Sequence, residues 1–292
     1  MSERIRLAIQ KKGRLTESCR KIFEKCGLSF NEGERQLIYP IPEMPIDLLF
    51  VRDDDIPSLV SKGTCDFGIV GLNVFEETKY EENGAFNAEV FARLGMAKCR
   101  LSIAVPNSMP FEKAEDLNGK KIATTYPRIV KNFLDENNIN AEIVRLCGSV
   151  EIAPSLKLSD VIADIVSSGA TLQQNNLKEV MTILNSEAVL INNTNISQEK
   201  REIAERFMVR VKSALCVSRK KYVVLNAPKD KIEEISKLLP GSESPSVLPL
   251  IKEGMVSLHA ICSETEFWST MEKLKEVGAS SIAVLPIEKM LD

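Results

Sequence analysis

The sequence predicts an α/β protein with a two-lobed core and a smaller mixed module at its carboxyl end. Three observations predict it. Apolar runs of four to six residues alternate with helical spacing through the first two-thirds of the chain. An aspartate, a short apolar strand and a glycine occur in the same rhythm twice, at residues 66–71 and 164–169. From residue 221 onward the order of patterns changes to βαββαβ, that of a ferredoxin-like module.

The elements follow in order. Residues 5–9 read as a strand. Leu15, Cys19, Ile22, Phe23 and Cys26 give residues 14–26 a helical stripe, and Gly27 stops it. Residues 46–51 form a strand, 55–62 a helix ending at Gly63, and 66–70 a short buried strand. The second lobe repeats the plan with strands at 99–105, 121–124 and 141–145, a helix at 129–137, and a segment 159–166 that leads into a Ser/Gly/Thr turn. These alternations argue for largely parallel sheets. The stretch 192–210 is polar, then helical, and is expected to return to the first lobe. In the last module, strands are expected at 222–225, 246–251, 256–262 and 281–286. Helices are expected at 229–239, stopped by Pro240 and Gly241, and at 264–277, stopped by Gly278. If the repeat is real, two similar lobes face one cleft, and ligands sit outside the carboxyl ends of the strands.

Bulk composition narrows the function. A chain of 292 residues, 44% hydrophobic, can build two or three cores. Aromatics are only 5%, so those cores rest on Ile, Leu and Val. A net charge of −3 gives no basic excess, so no nucleic-acid partner is expected. No apolar run approaches the roughly 20 residues of a membrane helix, and the amino-terminal segment has no signal-like core. A cytoplasmic protein without a membrane partner is the expectation. The seven cysteines include no CxxC pair, so buried reduced thiols are expected rather than zinc or disulfides. His259 is the single histidine. Triad chemistry would have to use it, and it reads as a structural or ligand-contacting residue of a strand.

Three constellations carry chemistry. In residues 164–171 (DIVSSGAT), a turn joins a strand to a helix start. Gly169 permits a left-handed backbone there, and Ser167, Ser168 and Thr171 offer hydroxyls to a phosphate. An ordinary capped helix start uses the same residue types. Asp164 or Glu151 could hold ribose hydroxyls. At residues 51–57 (VRDDDIP) the three acids suit a helix amino end, and Arg52 at a strand end could clamp a pyrophosphate. Residues 10–14 (QKKGR) place Lys11, Lys12 and Arg14 at another strand end, where they form either a cationic cluster or a solvated turn. Neither a Walker A loop nor GxGxxG is present.

Taken together, residues 9–15 (IQKKGRL), 44–57 (MPIDLLFVRDDDIP), 66–71 (DFGIVG), 99–102 (CRLS), 118–127 (NGKKIATTYP), 148–154 (GSVEIAP) and 164–172 (DIVSSGATL) resemble the ATP phosphoribosyltransferase family. Residues 278–282 (GASSI) and 285–289 (LPIEK) extend the likeness to the tail, so the chain is similar to the long form. The resemblance implies a type II periplasmic-binding-protein-like catalytic core plus a ferredoxin-like regulatory domain. Lobe I would span 1–95 with a return segment 187–212, lobe II 96–186, and the regulatory domain 213–292. It implies ATP and phosphoribosyl pyrophosphate as substrates, L-histidine as inhibitor, Mg2+ held mainly by substrate, and a homo-oligomer, from dimer to hexamer. The phosphoribosyl pyrophosphate site would fall on Asp164, Ser167, Ser168, Gly169, Ala170 and Thr171, with Glu151 close by. The ATP site would draw on Arg14, Asp66, Gly71, Arg100 and Tyr126. Arg52 and Lys11 would neutralise the leaving pyrophosphate, and Asp164 or Glu151 would stabilise a cation-like ribose. Inhibitory histidine would bind among Asn226, Ser246, Ile261 and Ser281. Ser168 stands where many relatives carry Thr, a change that keeps the hydroxyl. A solute-binding protein, the effector domain of a transcription regulator and a catalytically dead metabolite sensor share the architecture and are the rival readings.

Overall fold

The computed structural model describes residues 3–29, 38–81, 86–217, 220–239 and 245–290. The chain divides into two compact units, Met1–Arg206 and Phe207–Asp292.

The first unit contains both lobes. In lobe I, β1 (Ile5–Gln10) runs into a tight loop and α1 (Arg14–Lys25). The loop turns at Gly13, whose φ of 137° is a backbone conformation that residues with a side chain rarely adopt. The helix buries Cys19, Ile22 and Phe23, as its spacing predicts. β2 (Ile38–Ile41), β3 (Ile46–Val51), α2 (Ile56–Ser61), β4 (Phe67–Gly71), α3 (Leu72–Glu81) and β5 (Ala88–Arg93) follow. Lobe II is built from β6 (Cys99–Pro106), β7 (Lys121–Thr124), α4 (Pro127–Glu136), β8 (Glu142–Arg145), β9 (Val161–Val166), α5 (Ala170–Gln174) and β10 (Leu177–Ser186). The chain then returns to lobe I as β11 (Ala188–Asn193) and continues into α6 (Gln198–Cys216).

The two sheets share one topology. Lobe I has the order β2-β3-β1-β4-β11-β5 and lobe II the order β10-β6-β9-β7-β8. In each, three parallel strands stand in the spatial order second, first, third. The third strand then pairs with an antiparallel one, β11 in lobe I and β6 in lobe II. The sheets are therefore mixed, where the sequence suggested largely parallel ones. Each crossing between lobes inserts a strand that runs against its neighbours.

The repeat is real but its sequence match is offset. Asp66 precedes β4, and its backbone N–H donates to Arg6 O at 3.0 Å while its carboxylate accepts the Arg6 N–H at 2.8 Å. Asp160 precedes β9 and does the same with Lys121, at 2.9 and 2.8 Å. The partner of Asp66 is thus Asp160, not Asp164. Both aspartates lock the amino end of a third strand to the amino end of a first strand.

Several elements had no clear sequence signal. β10 carries two register shifts, between Glu179 and Met181 and between Thr182 and Leu184, so its alternation is broken. β11 is buried at all six positions and has no polar alternation to read. The expected helix at 55–62 begins as a 3-10 turn, Asp53–Asp55, before α2. The predicted stop at Pro240 and Gly241 lies outside the described residues.

The second unit is β12 (Lys220–Pro228), α7 (Ile232–Leu238), β13 (Ser246–Pro249), β14 (Met255–Ser263), α8 (Glu264–Glu276) and β15 (Ser280–Pro286). Its four strands form an antiparallel sheet in the order β13-β14-β12-β15, as a ferredoxin-like βαββαβ fold requires. Val223, Leu225, Leu258 and Ala260 point from one face into a core with Ile235, Phe267 and Leu274 of the two helices. No helix among the described residues is long and apolar enough to cross a membrane. None of the seven cysteines forms a disulfide; four of them are buried and Cys147 is exposed.

Candidate active site

The carboxyl ends of both sets of parallel strands meet around Tyr126. On the lobe I side, the Lys11 N–H donates to Val51 O at 2.8 Å. That bond sets the loop after β1 beside the end of β3, so exposed Lys11 and exposed Arg52 share one edge. Thr16 Oγ1 donates to Gln10 O at 2.8 Å and fixes the same loop from the helix side. Arg14 opens α1 on this edge; its side chain lies outside the described set. Neither Arg52 nor Asp55, at the starts of the 3-10 turn and of α2, makes a side-chain cap bond, and the three acids occupy the first turn, where a helix amino end favours negative charge. Burial, then the charges of Asp53 and Asp55, push the Asp54 carboxyl above its ordinary value against the pull of Arg52.

Asp66 does not join this edge. It sits at the opposite, amino end of β4, where Lys200 Nζ of α6 donates to its Oδ1 at 2.8 Å. With its side chain 14% exposed and both oxygens engaged, it anchors the strand and the returning helix. Gly71 lies at the carboxyl end of β4, where a Cβ would fall 2.5 Å from Asn73 Oδ1.

A buried polar cluster joins the lobes. The Asn73 N–H, on α3, donates to Ser186 Oγ at 3.1 Å, and Ser186 Oγ donates to Asn73 Oδ1 at 2.7 Å. Asn73 Nδ2 then donates to Tyr126 Oη at 2.9 Å. The Tyr126 hydroxyl is pushed up to about 12, chiefly by burial, with the bond from Asn73 lowering it and the charges of Asp164, Asp54 and Asp53 raising it. Tyr126 thus keeps its proton at the point where carboxylates of both lobes converge. Beside it, Glu77 of α3 accepts the Arg128 and Ile129 N–H groups of α4 at 2.9 and 3.0 Å. These donors are otherwise orphaned at a helix start. A cavity of 280 Å³ opens here, lined by Asp54, Glu77, Tyr126, Arg128 and Arg145 among others.

The lobe II loop lies on the same side. Asp164 lies in β9, three residues before the loop, and its Oδ1 accepts the N–H of Ile165 at 2.7 Å. Burial raises its carboxyl above the usual range, the Ile165 bond lowers it, and the charge of Glu151 raises it again. Glu151 follows Ser149, a non-glycine residue held at φ 50°, ψ 40°. Left-handed backbone at such a residue is a strain that functional loops carry. After β9, Ser167, Ser168, Ala170 and Thr171 are exposed, and Gly169 adopts φ 81°, ψ −1°. Ser168 Oγ accepts the Ala170 N–H at 3.5 Å. The following helix, α5, has only five residues, so the hydroxyls and turn amides, more than a helix dipole, are what the loop offers an anion. Arg100 reaches this loop: its Nη1 donates to Ser167 O at 3.4 Å.

In the second unit, register places Asn226, Ser246 and Ile261 on the sheet face that the helices do not cover, on three different strands. His259 lies opposite Ser246 on that face, with Tyr222 Oη 2.9 Å from its Nδ1 and Ser257 Oγ 3.2 Å from its Nε2. Ser281 sits at φ 50° in the irregular stretch of β15.

Sequence reading missed Asn73, Glu77 and Glu179, which are single polar residues without a motif. Arg145 at a strand's carboxyl end and Arg128 in a helix's first turn did leave a signal, since a cation in that turn opposes the helix dipole.

A family model described as ATP phosphoribosyltransferase (HisG) matches residues 52–213, and one described as the HisG C-terminal domain matches residues 218–289. The chain belongs to the ATP phosphoribosyltransferase family. The ATP phosphoribosyltransferase of Bacteroides thetaiotaomicron is 47% identical over 287 residues, covering 98% of this chain and 99% of that protein. That of Cytophaga hutchinsonii is 46% identical over 291 residues, covering all of both. Among solved structures, the ATP phosphoribosyl transferase (HisG:HisZ) complex from Thermotoga maritima is similar at a TM-score of 0.60 and 28% identity, over 71% of this chain and 96% of that one. The two models in tandem mark the long form of the family. The protein is a pentosyltransferase of the first step of histidine biosynthesis.

Proposed function

We propose that the protein transfers the 5-phosphoribosyl group of phosphoribosyl pyrophosphate to N1 of ATP, releases pyrophosphate, and is inhibited by L-histidine through its C-terminal module. The observation that carries this reading is the placement of the exposed Ser167–Thr171 loop beside half-buried Asp164, on the edge that also holds Lys11, Arg52 and Tyr126.

N1 of adenine is an unprotonated, neutral nucleophile, so no strong base is needed to start attack. The chain's part is positioning and charge stabilisation. Ser167, Ser168, Thr171 and the turn amides hold the phosphate. Asp164, with Glu151, lies where positive charge develops on the ribose. Lys11 and Arg52 meet the departing pyrophosphate. Gly71, Tyr126 and the arginines of the cavity, Arg128 and Arg145, orient the ATP.

Magnesium fits this arrangement as a passenger of the substrate. Among the described residues, no group of three or more His, Cys, Asp or Glu could hold a metal ion. Asp164 and Glu151 repel each other, which a cation between them would relieve. Those two carboxylates would hold Mg2+ together with pyrophosphate oxygens and water. When bound, the ion supplies charge neutralisation to the leaving group.

The loop assignment is tested by a double variant. Ser168→Ala with Thr171→Val is expected to raise the KM for phosphoribosyl pyrophosphate about tenfold, the loss of roughly 1.4 kcal/mol of binding, and to leave the KM for ATP unchanged. Steady-state kinetics with each substrate varied decides it.

The function itself is tested by absorbance-monitored formation of phosphoribosyl-ATP, with magnesium and pyrophosphatase present, with and without histidine. Turnover that histidine suppresses is the expected result. Turnover that histidine leaves unchanged removes the regulatory assignment to Asn226, Ser246, Ile261 and Ser281. No turnover from folded protein removes the catalytic reading. The homo-oligomer, from dimer to hexamer, belongs to the same proposal and is read by sedimentation.

A further inference from the structure

The geometry points to Glu179 as a positioning residue that aims Arg100 at the phosphoribosyl pyrophosphate loop. The inference rests on the assignment of that loop.

Glu179 belongs to β10, opposite Ala104 of β6, and lies on no motif. Its carboxylate receives the guanidinium of Arg100 through both Nε and Nη2, the two-pronged form of this ion pair. Ser102 Oγ donates to Glu179 Oε1 at 2.8 Å. Ser102 is fully buried, and its partner on β9 is Asp164. The Arg100 bonds are the first cause that holds the Glu179 carboxyl below its ordinary value, with the Ser102 bond adding to them. The carboxylate therefore stays charged wherever the enzyme works.

With the Nε/Nη2 edge taken by Glu179, the third nitrogen of the guanidinium faces away from that carboxylate. That nitrogen, Nη1, is the one that reaches Ser167 O at 3.4 Å. Arg100 pairs with Val166 on β9, immediately before the loop, so its cation lies at the base of the turn. Without Glu179 the long side chain would have many rotamers and no fixed direction. With it, a positive charge and a hydrogen-bond donor stand beneath the loop before substrate arrives. Glu179 touches neither substrate nor reacting atoms; it acts through Arg100.

The test is a kinetic double-mutant cycle on the full-length enzyme. Glu179→Gln keeps size and one acceptor but loses the paired charge. It is expected to raise the KM for phosphoribosyl pyrophosphate about tenfold, with kcat and the KM for ATP changed less than about twofold. Arg100→Gln is expected to raise the KM for phosphoribosyl pyrophosphate at least as much, and the double variant to be no worse in that KM than Arg100→Gln alone. An additive double variant, or a Glu179→Gln enzyme with an unchanged KM for phosphoribosyl pyrophosphate, overturns the inference. So does an equal loss for both substrates accompanied by a fall in melting temperature, which is the mark of a merely structural pair. Absence of turnover in the unsubstituted enzyme counts instead against the catalytic reading, and calorimetric titration with phosphoribosyl pyrophosphate then reads the Glu179 effect directly as a change in Kd.

Discussion

Replacing Asp164 by Asn is expected to cut kcat about a hundredfold or more while making the protein harder to unfold at neutral pH. The two effects have one cause. Burial holds the Asp164 carboxyl above its ordinary value, and the charge of Glu151 adds to this. Keeping it ionised therefore costs the folded state something that the unfolded chain, with its solvated carboxylate, does not bear. Below the unfolded carboxylate's value, about 4, Asp164 is protonated in both states and the cost is absent. As pH rises through the raised folded value, the cost appears in full. The amide of the Asp164→Asn variant carries no charge, so its advantage in melting temperature should be present at about pH 7 to 8 and vanish in acid. Calorimetry across that range checks the sign. An Asn substitution that lowers the melting temperature at neutral pH would show that Asp164 is held by bonds and not strained by burial.

Asn73→Ala is expected to cause the largest loss of stability in the first unit. Asn73 is 7% exposed, and its three polar groups are all used by Ser186 and Tyr126. Alanine keeps only the backbone bond and leaves two hydroxyls short of a partner in a buried place. Each such deficit costs about 1–3 kcal/mol. The loss falls on the cluster that ties α3 of lobe I to the start of α4 in lobe II, so the KM values of both substrates should rise together. Urea denaturation reads the stability, and small-angle scattering without ligand should show a wider envelope. Tyr126→Phe, which keeps the ring and its packing, should cost less than Asn73→Ala.

The architecture was legible where local pattern and tertiary role agree. The βαββαβ order of the last module shows plainly in its alternating strands, because one face of the sheet packs on helices and the other does not. The parallel strands around β1 and β7 are short apolar runs and read equally well. The strands that cross between lobes do not, since β10 is bulged and β11 is buried on both faces. The site shows the same division. Its loops announce themselves through Gly169, clustered hydroxyls and cations at strand ends. Asp66 misled, because an aspartate that locks a strand's amino end looks in sequence like one that serves a ligand. Only the matching bonds of Asp160 to Lys121 reveal its task. Glu77 and Asn73 were invisible, for their partners lie 51 to 113 positions away in the chain.

The cap of α4 has a consequence for how the cleft moves. Its first free amides, at Arg128 and Ile129, are satisfied by a carboxylate on the other lobe. Separation of the lobes therefore breaks both of those bonds at the same moment. Exchange of the two amides with deuterium is gated by opening, so this helix end serves as a clock for the hinge. Any ligand that draws the lobes together slows it, whether or not it touches the helix.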